Sequence, residues 1–388
     1  MILRNIQPGA YRAWLSRVWR QEPRFFSSVP PQPVPPLVQT LQGYLSTLEP
    51  LLPPDELSHT RRMVHEFGSP GGLGPRLQKS LEKRARHTKN WISPWWVQWA
   101  YLESRQPLPV HSNPAISLPR RDYNGWRSQL VFASKLIAGV LDFKAKIKTE
   151  KPDPKRAPLV PLPMPKKLYF HIDREIKRDI EHAKQNLDIL INDLDVNVFN
   201  FKKFGKELPK RHNLSPNSFI QVALQLAYYR VHDEVGPACD IASQRMFRGG
   251  RTEYIRSPST QTLKFILAFG DRSVTVLEGR GVDLHLLGLK LQAIEEGLSI
   301  PKVYMDTAYG VATHWKLRTG QVPANTDSVM CFGPLVPDGY AICYNPQADH
   351  VHFSITAFNC CEETNAETLA LTLKDTLCQL QELLQPTV

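Results

Sequence analysis

Residues 305–345 read MDTAYGVATHWKLRTGQVPANTDSVMCFGPLVPDGYAICYN, and the pairing of the apolar runs inside this stretch decides the fold. Ser328 to Phe332 and Tyr340 to Tyr344 are short and rich in Val, Met, Phe, Ile and Tyr. Gly333, Pro334, Pro337, Asp338 and Gly339 lie between them, so the order predicts strand, turn and strand in a buried hairpin. The segment before it, Arg318-Thr319-Gly320-Gln321-Val322-Pro323, reads as a loop that presents polar groups at the rim of a sheet.

Working outward, His350 to Phe358 reads as a third strand, and Thr364 with Glu367 reads as a capping box for a helix through Leu373, Leu377, Leu380 and Leu384. Upstream, Ser215-Pro216 opens a helix with Phe219, Val222, Ala223, Leu226 and Ala227 inward. Before that comes a strand, Val196 to Phe201, and a helix capped by Asp173 whose buried stripe is Ile176, Ile180, Ala183, Leu187, Leu190 and Leu194. The first third of the chain is helical in pattern. Leu37, Leu41, Tyr44, Leu45 and Leu48 share one face, a second helix runs through Leu57, Met63, Val64 and Phe67 to a Gly/Pro stop, and further helices occupy 80–102 and 124–146. Lys148 onward is polar and proline-punctuated, a linker to residue 167.

Net charge is +11, and residues 1–28 contribute five arginines against one acid, Glu22. That arginine-rich, acid-poor opening has the pattern of a mitochondrial presequence, because a secretory signal needs a continuous apolar core. The moderate remaining excess suits an anionic small ligand, and no nucleic-acid-binding motif accompanies it. Six cysteines, Cys239, Cys331, Cys343, Cys360, Cys361 and Cys378, lack the spacing of a disulfide framework or a zinc site, so reduced thiols and no metal are expected. No apolar run is long enough to cross a bilayer.

Several segments carry a family resemblance: Val34-Pro35-Pro36-Leu37, Trp95-Trp96 to Leu102, Val160-Pro161-Leu162-Pro163-Met164-Pro165, Gln225-Leu226-Ala227-Tyr228-Tyr229-Arg230, Gly250-Arg251-Thr252, Gln321-Val322-Pro323, Phe332-Gly333-Pro334, Asp338-Gly339-Tyr340 and Glu363-Thr364-Asn365-Ala366. In this order they make the chain resemble the choline/carnitine acyltransferase family over nearly all its length after residue 30. The resemblance implies an α/β, chloramphenicol-acetyltransferase-like two-domain fold, with a first domain (29–147) reduced mostly to helices and an α/β second domain from 168 to 388. It further implies acetyl transfer between acyl coenzyme A and carnitine in fatty acid metabolism. Coenzyme A would be a substrate with no bound cofactor, and the protein a monomer in the mitochondrial matrix or at the inner-membrane surface.

The same resemblance assigns residues. Lys206 and Lys210 match lysines that contact the phosphate end of coenzyme A, Thr252 matches a hydroxyl that holds the carnitine carboxylate, and Met330 matches the bulky residue that shortens the acyl pocket. The departures are equally specific. The segment bearing the catalytic histidine has no counterpart between Phe143 and Val160, and the serine-threonine-serine run for the oxyanion reads Arg318-Thr319-Gly320. Leu284 stands where the family has an arginine that pairs with the carnitine carboxylate, an arginine that choline-specific members also lack, and Cys239 replaces a tyrosine. Acyl transfer needs a base and an oxyanion donor. Impaired turnover is therefore expected, with a non-enzymatic coenzyme A binder or interaction partner, or a choline-type relative, as the alternatives; His285, His314, His350 and His352 are weak substitutes for the base.

Overall fold

The computed structural model describes residues 29–103, 115–116, 122–149, 169–256, 280–322 and 327–384. The leader expected at 1–28 and all but two residues of the expected linker lie outside these; Lys148 and Thr149 are helical instead. The described residues up to Ala115 form one compact unit with those from Asp193 onward, and Ile116–Asn192 cluster as a second.

Three amphipathic helices open the first unit: α1 (Leu37–Leu48), α2 (Pro54–Gly68) and α3 (Leu73–His87). Proline at the start of α2 and Asp55 and Glu56 in its first turn suit the N-terminal end, where backbone N–H groups are unpaired and the dipole is positive. The chain then breaks at Thr88 to Ile92 before the short α4 (Ser93–Val97), so the region from 80 to 102 is several pieces. The second unit holds α5 (Trp126–Thr149) and α6 (Arg174–Asp193) up to Asn192. Asp173 Oδ1 accepts from Ile176 N at 2.8 Å, the cap that the sequence predicts. The stripe along α6, however, is not buried: Ile176, Ile180 and Leu187 are exposed, and no residue of the helix is buried among those described. Periodicity makes one apolar face but does not supply a partner for it.

From Asp193 the chain builds a six-stranded sheet. Its strands are β1 (Leu194–Phe201), β2 (Ala238–Ser243), β3 (Thr252–Arg256), β4 (Leu317–Gln321), β6 (Tyr340–Pro346) and β7 (Val351–Phe358); the two-residue β5 (Met330–Cys331) stands apart from it. The order across the sheet is β1-β7-β6-β4-β2-β3. β6 pairs with β7 antiparallel and with β4 parallel. Two expectations are corrected here. The hairpin is β6–β7 and not 328–332 with 340–344, and the supposed rim loop at 318–321 is a central strand. β6 is buried along its whole length, so it needs a neighbour on each edge, and a single hairpin partner would leave one edge of backbone polar groups unpaired.

One face of the sheet is covered by α8 (Pro216–His232) and α11 (Ala366–Leu383). Between them and the sheet lie Phe219, Ala223, Tyr228, Leu317, Ile342, Tyr344, Phe353, Ile355, Leu369, Leu373 and Leu377. The Ser215 hydroxyl caps α8 as expected, but Val222 and Leu226 are only half-buried while Gln221, Leu224 and Gln225 are buried. The cap of α11 falls one residue later than predicted. Asn365 accepts from Thr368 N at 2.8 Å, whereas the Thr364 hydroxyl donates to Phe358 O and Cys361 O.

α9 (Val282–Glu295) and α10 (Thr307–Thr313) join α1–α3 in a second core with Trp91, Tyr44, Leu77, Leu286 and Leu289. Gly288 is required there, because a Cβ would sit 2.5 Å from the Trp91 ring.

Candidate functional site

β-Strand alternation sends successive residues to opposite faces, so the register defines the site face opposite α8 and α11. Cys239, Arg318, Ala341, Thr356 and Val196 form one row across five strands, and Gly320, Cys343, Ser354 and Val198 form the next. His352 and Asn345 follow in a third row with Asn200. Phe332, Ala341 and Cys343 make a small apolar cluster on this face, with Met330 packed against it. The structure therefore brings Arg318, Gly320 and Met330 to one surface.

Thr319 points the other way. Its hydroxyl donates to Cys239 O at 3.0 Å and accepts from Gln221 Nε2 at 2.9 Å, and the residue is fully buried. Gln221 also donates to Tyr344 Oη, which contacts Asn217 and Asp240, so Thr319 belongs to a buried polar network beneath the sheet. Burial raises the Asp240 carboxyl above the ordinary carboxylate range against the hydrogen bonds from Asn217 and the Ile241 backbone. On the site face, the Arg318 guanidinium lies 4.2 Å from the Phe332 ring centroid and donates to Gly333 O at 3.1 Å. The same phenyl ring covers Gly320, where a Cβ would meet it at 3.3 Å, so a serine at 320 would require Phe332 to move. Ser354 donates to Met330 O and Thr356 to Phe332 O. The hydroxyls of Thr319, Ser354 and Thr356 are thus all committed to main-chain carbonyls.

Thr252, half-buried at the start of β3, pairs with Ser243 at the sheet edge. Leu284 is buried in the helical core. Lys206 precedes the one-turn α7 (Glu207–Arg211), and Lys210 lies on it, exposed and paired with Glu207 at 2.9 Å. That loop is fixed to the turn between β6 and β7: Lys206 N donates to Gln347 O at 2.8 Å, and a Cβ on Gly205 would meet the same oxygen at 2.4 Å.

The histidines divide cleanly. His285 is fully buried, its Nδ1 2.7 Å from the Thr40 hydroxyl, and burial pulls its pKa down to about 3. His314 Nε2 is 2.7 Å from Asp338. His350 and His352 both meet Asp327, an association missed from sequence although the His-x-His alternation on a strand was its signal. All six cysteines are free, and burial pushes the thiols of Cys239 and Cys343 up, away from thiolate chemistry.

Comparison with known proteins now decides the family. The profile described as Choline/Carnitine o-acyltransferase matches residues 32–164 and 151–375. The chain belongs to the choline/carnitine acyltransferase family. Among curated acyltransferases of this family it is similar to the carnitine O-acetyltransferases of Columba livia and Homo sapiens, each 33% identical over 586 residues, covering 92% of this chain and 94% of the relative. The choline O-acetyltransferase of Danio rerio is 23% identical, with 92% and 93% covered. The carnitine O-acetyltransferase alignments run over 586 positions against 388 residues in this chain, so at least the difference of 198 faces no residue here. Solved structures overlap only loosely; the wax ester synthase/diacylglycerol acyltransferase from Marinobacter aquaeolei VT8 matches at 13% identity with a TM-score of 0.28, over 53% of this chain and 57% of that one. The structure has a mixed α/β architecture, and no helix among the described residues is long and apolar enough to cross a membrane.

Proposed function

We propose that this acyltransferase retains ligand surfaces for short-chain acyl coenzyme A and carnitine but turns them over far more slowly than its carnitine O-acetyltransferase relatives. The observation that carries this reading is β4: Thr319 is turned into a buried network, and its neighbours on the site face are a guanidinium and a glycine under Phe332. A missing oxyanion donor costs on the order of a hundredfold in rate. The absence of a family base adds to that without being simply additive.

The fold reading is a chloramphenicol-acetyltransferase-like pair of domains whose first member is truncated. It is supported by the alignment, which is longer than the chain, and by the family profile matching in two pieces that meet near residues 151–164. Lys206 and Lys210, four residues apart around a short helix, are the phosphate contacts in this reading; Thr252 faces carnitine and Met330 limits the acyl chain. The arginine-rich opening supports delivery to the mitochondrial matrix. Leu284, sealed in the core, favours choline as a second alcohol to try, since it offers the carnitine carboxylate no charge.

The test is thiol release by the purified full chain with acetyl coenzyme A and either carnitine or choline, together with calorimetric titration of coenzyme A. Expected are measurable coenzyme A binding, weakened several-fold in Lys206→Ala plus Lys210→Ala, and turnover at least about a hundredfold below the relatives. Turnover matching theirs with carnitine would overturn impairment. No coenzyme A binding at all would overturn the ligand assignment and leave an interaction role.

A further inference from the structure

His350 and His352 flank Val351 at the start of β7, so strand alternation sets both imidazoles on one side. Their rings are 5.1 Å apart, and both Nε2 atoms aim at one oxygen, Asp327 Oδ1, at 2.9 Å and 2.5 Å. Behind His350, Asp349 Oδ1 stands 2.7 Å from Nδ1. That carboxylate accepts from Nδ1–H and so orients the ring with Nε2 toward Asp327. Both Nε2 atoms thus face one oxygen across a gap that either protons or a single metal ion bridges. From this geometry we propose that Asp327, His350 and His352 form a binding site for a borderline divalent cation of the zinc type.

Two imidazole nitrogens and one carboxylate oxygen form a ligand set that zinc accepts, with remaining positions for water. The three donor atoms lie within 4.8 Å of one another, and no other three such side chains converge this way among the described residues. Zinc bonds of about 2.0–2.2 Å place tetrahedral ligands roughly 3.3 Å apart, so Asp327 must withdraw by about half an ångström or more. It can do so, because its side chain is 63% exposed while the imidazoles are 22% and 15% exposed and held by the strand. A cation there would join Asp327 to the Gln347–His350 turn. That turn also receives hydrogen bonds from Lys206 N and Glu207 N, so the cation would fix the seat of the basic loop as well.

The test titrates zinc alone into the chelator-treated full chain at pH 7.5, with cobalt as the spectroscopic probe. Expected is one ion per chain, with tetrahedral cobalt absorption. His352→Ala and Asp327→Asn should each weaken binding tenfold or more, and Asp349→Asn, which removes only the group orienting His350, should weaken it about 10- to 100-fold. Asp327→Asn is exposed, so unchanged circular dichroism and thermal unfolding without zinc would show that the fold is kept. Absence of stoichiometric binding would overturn the site and leave a proton in the cation's place. Equal binding by wild type and variants would also overturn it, since the ion would then sit on other histidines.

Discussion

A buried histidine with no charge partner ties this protein's stability to pH. His285 has an ordinary pKa of 6.5 in the unfolded chain and about 3 in the fold, because burial disfavours the imidazolium. Below pH 6.5 the unfolded state takes up a proton that the native state refuses, so stability is lost as pH falls from 6.5 toward 3. The slope approaches about 1.4 kcal/mol per pH unit. Urea unfolding at pH 7.5 and 5.5 should show a drop of about 1 kcal/mol or more from this group, absent in His285→Asn, where the Thr40 contact can be kept by a neutral side chain. An equal drop in both proteins would mean that His285 does not titrate this way. Glu253 works in the opposite direction. Burial, reinforced by Asp283, holds its carboxyl well above the ordinary range, so its contribution weakens stability as pH rises above the unfolded value.

Elements in this chain are set by local chemistry at their ends and by neighbours in their middles. Asn365 Oδ1 accepts the Thr368 N–H at the start of α11, whose other face fills the main core. Asn365→Ala should cost about 1 kcal/mol in chemical denaturation, and no loss would reassign the cap. The capping box placed at Thr364 missed this by one residue, because a threonine hydroxyl can also bond backward to carbonyls, as it does to Phe358. β4 escapes local pattern for a related reason. Arg318-Thr319-Gly320-Gln321 has the composition of a loop, yet β6 pairs with β4 along its whole length and β2 with Leu317 and Arg318, while the Thr319 hydroxyl has Gln221 and Cys239 O as partners. Polar residues in a central strand are stable when every group has a partner.

Across the whole chain, protection should be uneven. β6 and β7 are almost wholly buried, and α8 and α11 close the same core, whereas α6 has no buried residue among those described. Hydrogen exchange read by mass spectrometry should therefore show Tyr340–Pro346 and Val351–Phe358 exchanging orders of magnitude more slowly than Arg174–Asp193. Equal protection would mean that another surface, within the chain or from a partner, covers the stripe of Ile176, Ile180 and Leu187.

The sequence by itself determined the family, the helices α1, α2, α8 and α11 and the strands β1, β6 and β7, because motifs, caps and periodicity are local and survive without knowing their partners. Only the tertiary structure decided which strands pair, that Thr319 faces a buried network, that Leu284 is core, and that Asp327 meets His350 and His352. Those outcomes depend on residues distant in the chain: the parallel pairing of β4 with β6, and the convergence of two imidazoles on one carboxylate, are satisfied by backbone and polar groups that local pattern cannot bring together.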